Sequence, residues 1–272
     1  MTDRYHQFRA LHQRSGIFVM PNAWDAGSAK MLFHLGFEAI ASTSAGLANS
    51  LGRPDGEGLL TAEETLRNAA DMVNAMPLPV SADMENGYGD EPEDCARMIQ
   101  QAAAIGLAGG SIEDATGREA DPIYPLGLAV ERVAAAVRAV KALDRPFVLT
   151  ARAENLIHGR QDMADTIRRL QAFASAGAEV LFAPGLESAE QIALVVKEVA
   201  PTPLSVVMGL GNSRFTVAQL EDLGVKRISL GSSLARAAYS TFYRAAAEVK
   251  EMGSFSFAAQ NISYGDINRM LR

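Results

Sequence analysis

Apolar positions along this chain follow a repeating order: a helical stretch, a glycine, then a short run rich in Val, Ile, Leu or Ala. The order recurs as FHLGFEAIAS (33–42), AAIGLAGGSIED (103–114), ASAGAEVLFAP (174–184) and EDLGVKRISLG (221–231). Gly36, Gly106, Gly177 and Gly224 stand where a helix would end in a left-handed residue, a conformation that costs glycine little. Further apolar runs, GIFVMP, PLPVSAD, RPFVLTAR and TPLSVVMG, lie between or beside these. Pro79, Pro146 and Pro203 lead into three of them, and proline suits a strand start and not a strand interior. The pattern predicts eight strands near 16–21, 38–43, 79–84, 109–113, 146–151, 179–184, 203–208 and 226–231. Their nearly continuous apolar character is that of a parallel sheet covered by helices.

The intervening stretches carry helix signals. Thr61-Ala-Glu-Glu64 is a capping box, and Glu91-Pro92-Glu93-Asp94 sets acids and a proline on a first helical turn. ERVAAAVRAVKAL (131–143) is amphipathic at helical period. Alternation of β and α with no break in composition predicts one α/β domain over 1–272. Eight strands favour a closed (β/α)8 TIM barrel, with a doubly wound open sheet as the alternative. A C-terminal helical extension, about 240–272, holds Phe255, Phe257, Ile262, Tyr264, Ile267, Met270 and Leu271, too many apolar groups for a disordered tail. It packs either on its own barrel or on a neighbouring subunit.

With 272 residues, 48% of them hydrophobic, the chain can bury one large core. The net charge of −7, without blocks of like charge, argues against nucleic acid and anionic membranes as partners. No apolar run reaches the length of a membrane span, and the polar start MTDRYHQFRALHQRSG does not resemble a signal peptide. The single cysteine, Cys95, excludes an internal disulfide and a thiolate zinc cluster. A soluble cytoplasmic protein is expected.

Barrels keep their chemistry at the C-terminal ends of their strands. Strand one ends in Asn22, Trp24 and Asp25, strand two in Thr43 and Ser44, and strand three in Asp83, Glu85 and Asn86. Strand four ends in Glu113 and Asp114, and strand five in Arg152, Glu154 and Asn155. Taken singly, Asp25 is as good a helix cap as a ligand, and Arg152 needs do no more than neutralise a neighbouring acid. Asp83, Glu85 and Glu113 together cannot all be caps, because the following helices begin several residues later. Three converging carboxylates repel one another unless a cation or shared protons offset the charge. Oxygen ligands suit Mg²⁺, with Mn²⁺ possible, and no His or Cys is placed for zinc.

These segments resemble the isocitrate lyase/phosphoenolpyruvate mutase superfamily over roughly residues 10–250. The resemblance is carried by PNAWDAGSAKMLFHLGFEAIASTSAG, LGRPDGEG, ADMENGYGD, SIEDATG and TARAEN. The strongest piece is Asp83-Met-Glu85-Asn-Gly87-Tyr-Gly89, similar to the family's D-x-D-x-G-[YF]-G loop with Glu in the second acidic place. The resemblance implies that Asp83 is the main metal ligand, with Glu85 and Glu113 holding metal-bound waters. It implies that Thr43, Ser44 and Ala45 cradle a substrate carboxylate, with Trp24 beside them, and that Arg152 balances charge on an enolate oxygen. Asp55 falls on the family's mobile gating loop, where Gly52, Gly56 and Gly58 suit a moving lid. Exchange of the last barrel helix between subunits, in a homodimer or homotetramer, is also implied.

The departures are specific. Isocitrate and methylisocitrate lyases carry K-K-C-G-H after the fourth strand, where this chain reads ATGREADPIYPLG without a cysteine. Phosphoenolpyruvate mutases carry Lys and Asn in that loop and D-S-N-E in the gate, where this chain has PDGE. Pro184 stands where mutases tend to have histidine. The expected activity is a Mg²⁺-dependent lyase or decarboxylase on a 2-oxo or 2-hydroxy dicarboxylate, not of the cysteine-dependent type. Water, Tyr124 or Ser44 would return the proton. The alternatives are a carboxyphosphonoenolpyruvate or phosphoenolpyruvate phosphonomutase, and a 2-oxo-acid binding protein with weak turnover.

Overall fold

A computed structural model describes residues 3–210 and 214–272. The strands are β1 (Phe18–Met20), β2 (Ile40–Ala41), β3 (Val80–Asp83), β4 (Gly109–Glu113), β5 (Val148–Arg152), β6 (Val180–Phe182), β7 (Leu204–Val207) and β8 (Arg227–Ser229). Each falls on an apolar run of the sequence; β5 alone extends one residue beyond its run, to Arg152. All pair in parallel, in the order β1-β8-β7-β6-β5-β4-β3-β2. Between β1 and β2 the ring is completed by a bridge from Asn22 to Ala41, with Ala23 N–H donating to Ala41 O at 2.8 Å. Every strand thus neighbours its neighbours in sequence, so there is no switch point and the fold is a (β/α)8 barrel, not an open doubly wound sheet.

The covering helices begin and end where local chemistry directs. Thr61 caps Ala62–Ala75 through a reciprocal bond with Glu64, and at the start of Pro92–Ala104 the Asp94 carboxylate accepts the Glu91 N–H at 3.0 Å. Leu126–Lys141, Met163–Ala176 and Ala189–Val199 complete that side, and Gly177 ends the second of these in a left-handed residue at φ 107°. Met72, Met98, Ile99, Phe147 and Phe173 are fully buried between sheet and helices. Burial of each such side chain is worth about 1.5–3 kcal/mol.

Two features lie outside the strand pattern. The polar N-terminus forms a helix, Arg4–Gln13, whose first N–H groups are capped by Asp3. It buries Phe8 and Leu11 against Phe18, Val148 and Val180, the first residues of their strands, and so closes the N-terminal mouth of the barrel. At the other end, helix Ser233–Met252 buries only Ala235, and Phe242 and Tyr243 stand 71% and 75% exposed. After Ser256–Gln260, a last helix, Tyr264–Met270, returns to Ala26–His34, where Lys30 Nζ donates to Leu271 O at 2.6 Å. No helix among the described residues is long and apolar enough to cross a membrane.

Candidate active site

Asp83, Glu113 and Arg152 are the last residues of β3, β4 and β5, so the sheet itself sets them side by side at the C-terminal mouth. Arg152 Nη1 donates to Asp83 Oδ1 at 2.9 Å, its Nη2 lies 3.2 Å from Glu113 Oε2, and its Nε donates to Glu154 Oε1 at 2.9 Å. The guanidinium lies 5.0 Å from the ring centre of Phe182. Burial opposes its charge, but Glu154, Glu113 and Asp83 hold it well above its ordinary pKa.

Asp83 is held from its other side by β2. Its Oδ2 accepts from the backbone N–H of Ser44 at 3.2 Å and from Ser44 Oγ at 2.9 Å, while its own N–H donates to Ser42 Oγ at 2.9 Å. Thr43 caps the short helix Ser44–Ser50. Gly46 allows this approach: a Cβ there would meet Thr43 Cγ2 at 2.6 Å and Trp24 Cβ at 2.8 Å.

The loop after β3 is strained. Glu85 and Tyr88 adopt positive φ, 45° and 60°, each at a cost of about 1–3 kcal/mol for a non-glycine residue. Compensation comes from below, where the buried Arg132 donates to the carbonyls of Asn86 and Glu91 and stacks on the Tyr124 ring at 4.3 Å. Gly87, at φ 85°, rests on Cys95, with a virtual Cβ only 3.2 Å from its sulfur.

Thr43, Ser44, Ala45, Asp55, Asp83 and Arg152 line one cavity of about 520 Å³. Glu85 and Glu113 line a neighbouring one of about 480 Å³, with Tyr88 and His158. Asp55 is exposed on its loop, yet its carboxyl faces the first cavity; desolvation and then Asp83 raise its pKa. Burial, then Asp83 and Asp55, push Glu85 up to about 7. Glu113 is raised well above its ordinary value, by burial first. The site therefore gathers more carboxylates than Arg152 can neutralise.

Hard oxygen donors short of positive charge fit a divalent cation such as Mg²⁺. Among the described residues no three acidic, His or Cys side chains converge tightly enough to ligate one ion directly. The donor set around Asp83 thus fits a hydrated divalent cation better than one ligated directly by three side chains.

Other sequence candidates lie elsewhere. Asp25 is a helix cap, its Oδ1 accepting Ser28 N–H at 2.6 Å, and does not line the cavity. Trp24 packs against the Thr43–Gly46 turn, with its Cβ close to Gly46, and is not among the residues that line the cavity. Tyr124 is buried and lines neither cavity; its hydroxyl donates to Asp90 at 2.5 Å and accepts from Asn86, which commits its proton to Asp90. Asp114 pairs with Arg169 at 3.1 Å and accepts Glu154 N–H at 2.8 Å, a strut beneath the site. Two supporting roles went unread in sequence. Glu154, named only as a strand-end acid, orients Arg152; its signal is the A-R-x-E spacing. Ser42 positions Asp83 and carries no distinctive signal.

Residues 8–250 match the phosphoenolpyruvate phosphomutase family. The chain belongs to that family. A crystal structure from Burkholderia cenocepacia J2315, assigned provisionally as a lyase/mutase, is 52% identical with a TM-score of 0.94, covering 98% of this chain and 94% of that one. The structure of 2,3-dimethylmalate lyase, a member of the phosphoenolpyruvate mutase/isocitrate lyase superfamily, is 27% identical with a TM-score of 0.88, covering 99% and 95%. The 2-methylisocitrate lyase of Halalkalibacterium halodurans is 26% identical over 251 residues, 91% of this chain and 82% of the relative. By family the chain is an enzyme of the lyase and mutase type.

In the loop after β4, Arg118 pairs with Asp90 at 2.9 Å and no thiol is present. Cys95 is fully buried, its Sγ 3.6 Å from Asn86 O, and burial pushes its pKa up to about 11.

Proposed function

We propose that this enzyme cleaves or decarboxylates a 2-oxo or 2-hydroxy dicarboxylate through an enolate, with Mg²⁺ held by Asp83 and, through water, by Glu85 and Glu113. The observation that carries this reading is the three-way clamp on Arg152, which keeps a charged guanidinium beside Asp83 at the cavity mouth. When bound, Mg²⁺ would supply Lewis-acid stabilisation of the substrate's oxo group. Arg152 would balance the charge that develops on the enolate oxygen. Ser44, whose hydroxyl lines the cavity, would orient the substrate carboxylate and can pass a proton. Asp55 would close over the substrate as its loop folds down, excluding water.

The test is a product assay with Mg²⁺ over oxaloacetate, C-alkylmalates, 2-methylisocitrate and phosphonopyruvate. Cleavage of a dicarboxylate is expected, abolished in Asp83→Ala and reduced in Glu85→Ala and Glu113→Ala. Mg²⁺-dependent thermal stabilisation without any turnover would instead mark a 2-oxo-acid binding protein. Conversion of phosphonopyruvate alone would mark a phosphonomutase.

We further propose that the working unit is a homodimer or homotetramer joined through helix Ser233–Met252. The exposed Phe242, Tyr243 and Met252 leave an apolar face that one chain does not cover. Sedimentation velocity should show an oligomer that Phe242→Glu with Tyr243→Glu dissociates; a monomeric parent would remove this proposal.

A further inference from the structure

The first cavity does not end at the carboxylates. Its wall continues down the barrel past Ser81, Ser111 and Ser229 to Arg227. Arg227 opens β8 and is 3% exposed. Its Nε donates to Ser205 Oγ at 3.0 Å, Nη2 to Thr150 Oγ1 at 3.0 Å and Nη1 to His12 Nε2 at 3.2 Å. The hydroxyls are neutral, and burial keeps His12 neutral too. Among the described residues no carboxylate pairs with this guanidinium, whereas Arg152, the other arginine on a barrel strand, is ringed by them. A buried charge without a counter-charge is costly unless something supplies one. Burial alone draws the Arg227 pKa down to about 9.

The depth is informative. Thr150 precedes Arg152 by two residues on β5, so the two side chains lie on one face, one layer or roughly 6.6 Å apart. The cavity therefore has an acidic, guanidinium-bearing mouth and, about a layer below, a cationic floor reached along serine hydroxyls. A dicarboxylate of roughly four to six carbons spans such a layer.

We propose that Arg227 and the hydroxyls around it form an anion subsite that takes the distal carboxylate of a dicarboxylate whose oxo-acid end sits at Asp83 and Arg152. This rests on the reading of the mouth given above. It makes Arg227 a determinant of dicarboxylate over monocarboxylate recognition, and it supplies the counter-charge that the folded chain lacks. A free inorganic anion such as chloride has the same chemistry and is the competing occupant.

Calorimetric titration with Mg²⁺ separates these. Oxalate fills only the mouth, and 3,3-difluorooxaloacetate adds a distal carboxylate and resists cleavage. In Arg227→Met, oxalate affinity should match the parent, while affinity for the longer ligand falls about thirtyfold or more; Arg227→Lys should lose less. Equal affinity of the parent and Arg227→Met for difluorooxaloacetate would overturn the subsite. Failure of oxalate to bind the parent would instead overturn the reading of the mouth. Should Arg227→Met not fold, parent crystals decide: bromide soaked into ligand-free crystals should sit on Arg227 and be displaced by the distal carboxylate. Bromide retained there beside bound difluorooxaloacetate would overturn the proposal in favour of a resident inorganic anion.

Discussion

Glu154, 2% exposed, accepts the Nε–H of Arg152 at 2.9 Å and thereby aims the two terminal nitrogens of the guanidinium at Asp83 and Glu113. The two residues follow one another, with Ala153 between, at the end of β5. Glu154 lines neither cavity, so it acts through Arg152 and is a positioning residue. Glu154→Ala should lower Mg²⁺-dependent turnover about ten- to a hundredfold, and Glu154→Gln, which keeps an acceptor, should restore part of it. Unaltered kcat in Glu154→Ala would show that Asp83 and Glu113 suffice to orient the guanidinium.

The loop Arg53–Glu57 is held at its base, where Arg53 donates to Leu59 O and Glu64 at 2.9 Å, and carries Asp55 over the cavity rim. Its tip is exposed and bracketed by Gly52, Gly56 and Gly58, all at positive φ. Cleavage by an acid-specific endoprotease after Asp55 or Glu57 should slow severalfold when Mg²⁺ and an oxo acid are added together. A rate unmoved by saturating ligand would mean the loop does not close.

Cys95 belongs to the core under the Gly87 turn. Cys95→Ser should leave turnover within severalfold of the parent and cost about 1 kcal/mol in stability, the common size for a conservative core change. The thiol should also react slowly with a disulfide reagent at neutral pH, since burial holds it near 11. A thousandfold loss of kcat with fold and metal affinity intact would make Cys95 the acid.

His12 predicts a pH dependence of stability. Its Nδ1–H donates to Phe8 O at 2.8 Å, and burial first, then Arg227, lowers its pKa from 6.5 to about 3. The folded state therefore refuses a proton that the unfolded chain accepts below about pH 6.5. Stability should fall as the pH drops from about 6.5 toward 3, by at most about 1.4 kcal/mol per pH unit from this group. Urea midpoints for the parent and His12→Gln should diverge across that window and run parallel above it. Parallel curves throughout would show that His12 keeps its solution pKa.

Sequence alone was enough for the barrel and for most of its mouth. Strand-long apolar runs, glycine helix ends and leading prolines are local signals, and closed parallel topology follows from eight of them in alternation with helices. Asp83, Glu85, Glu113 and Arg152 could be found because a strand end in a parallel barrel always faces the same side. What sequence could not settle were matters of direction and depth. Tyr124 follows β4 as a site residue would, yet Arg132 and Asp90 engage it and it lines neither cavity, an outcome set by packing between distant segments. Trp24 and Asp25 follow β1, but a short-range cap turns Asp25 to its own helix. The helix Arg4–Gln13 gave no apolar periodicity strong enough to read, because its place is secured by Phe8 and Leu11 fitting an opening that exists only once the barrel has closed. Arg227 opens β8 and carries no distinctive signal in the sequence; only closure of the ring, which brings β5, β7 and the N-terminal helix around it, buries its guanidinium among neutral groups and makes it the floor of the cavity.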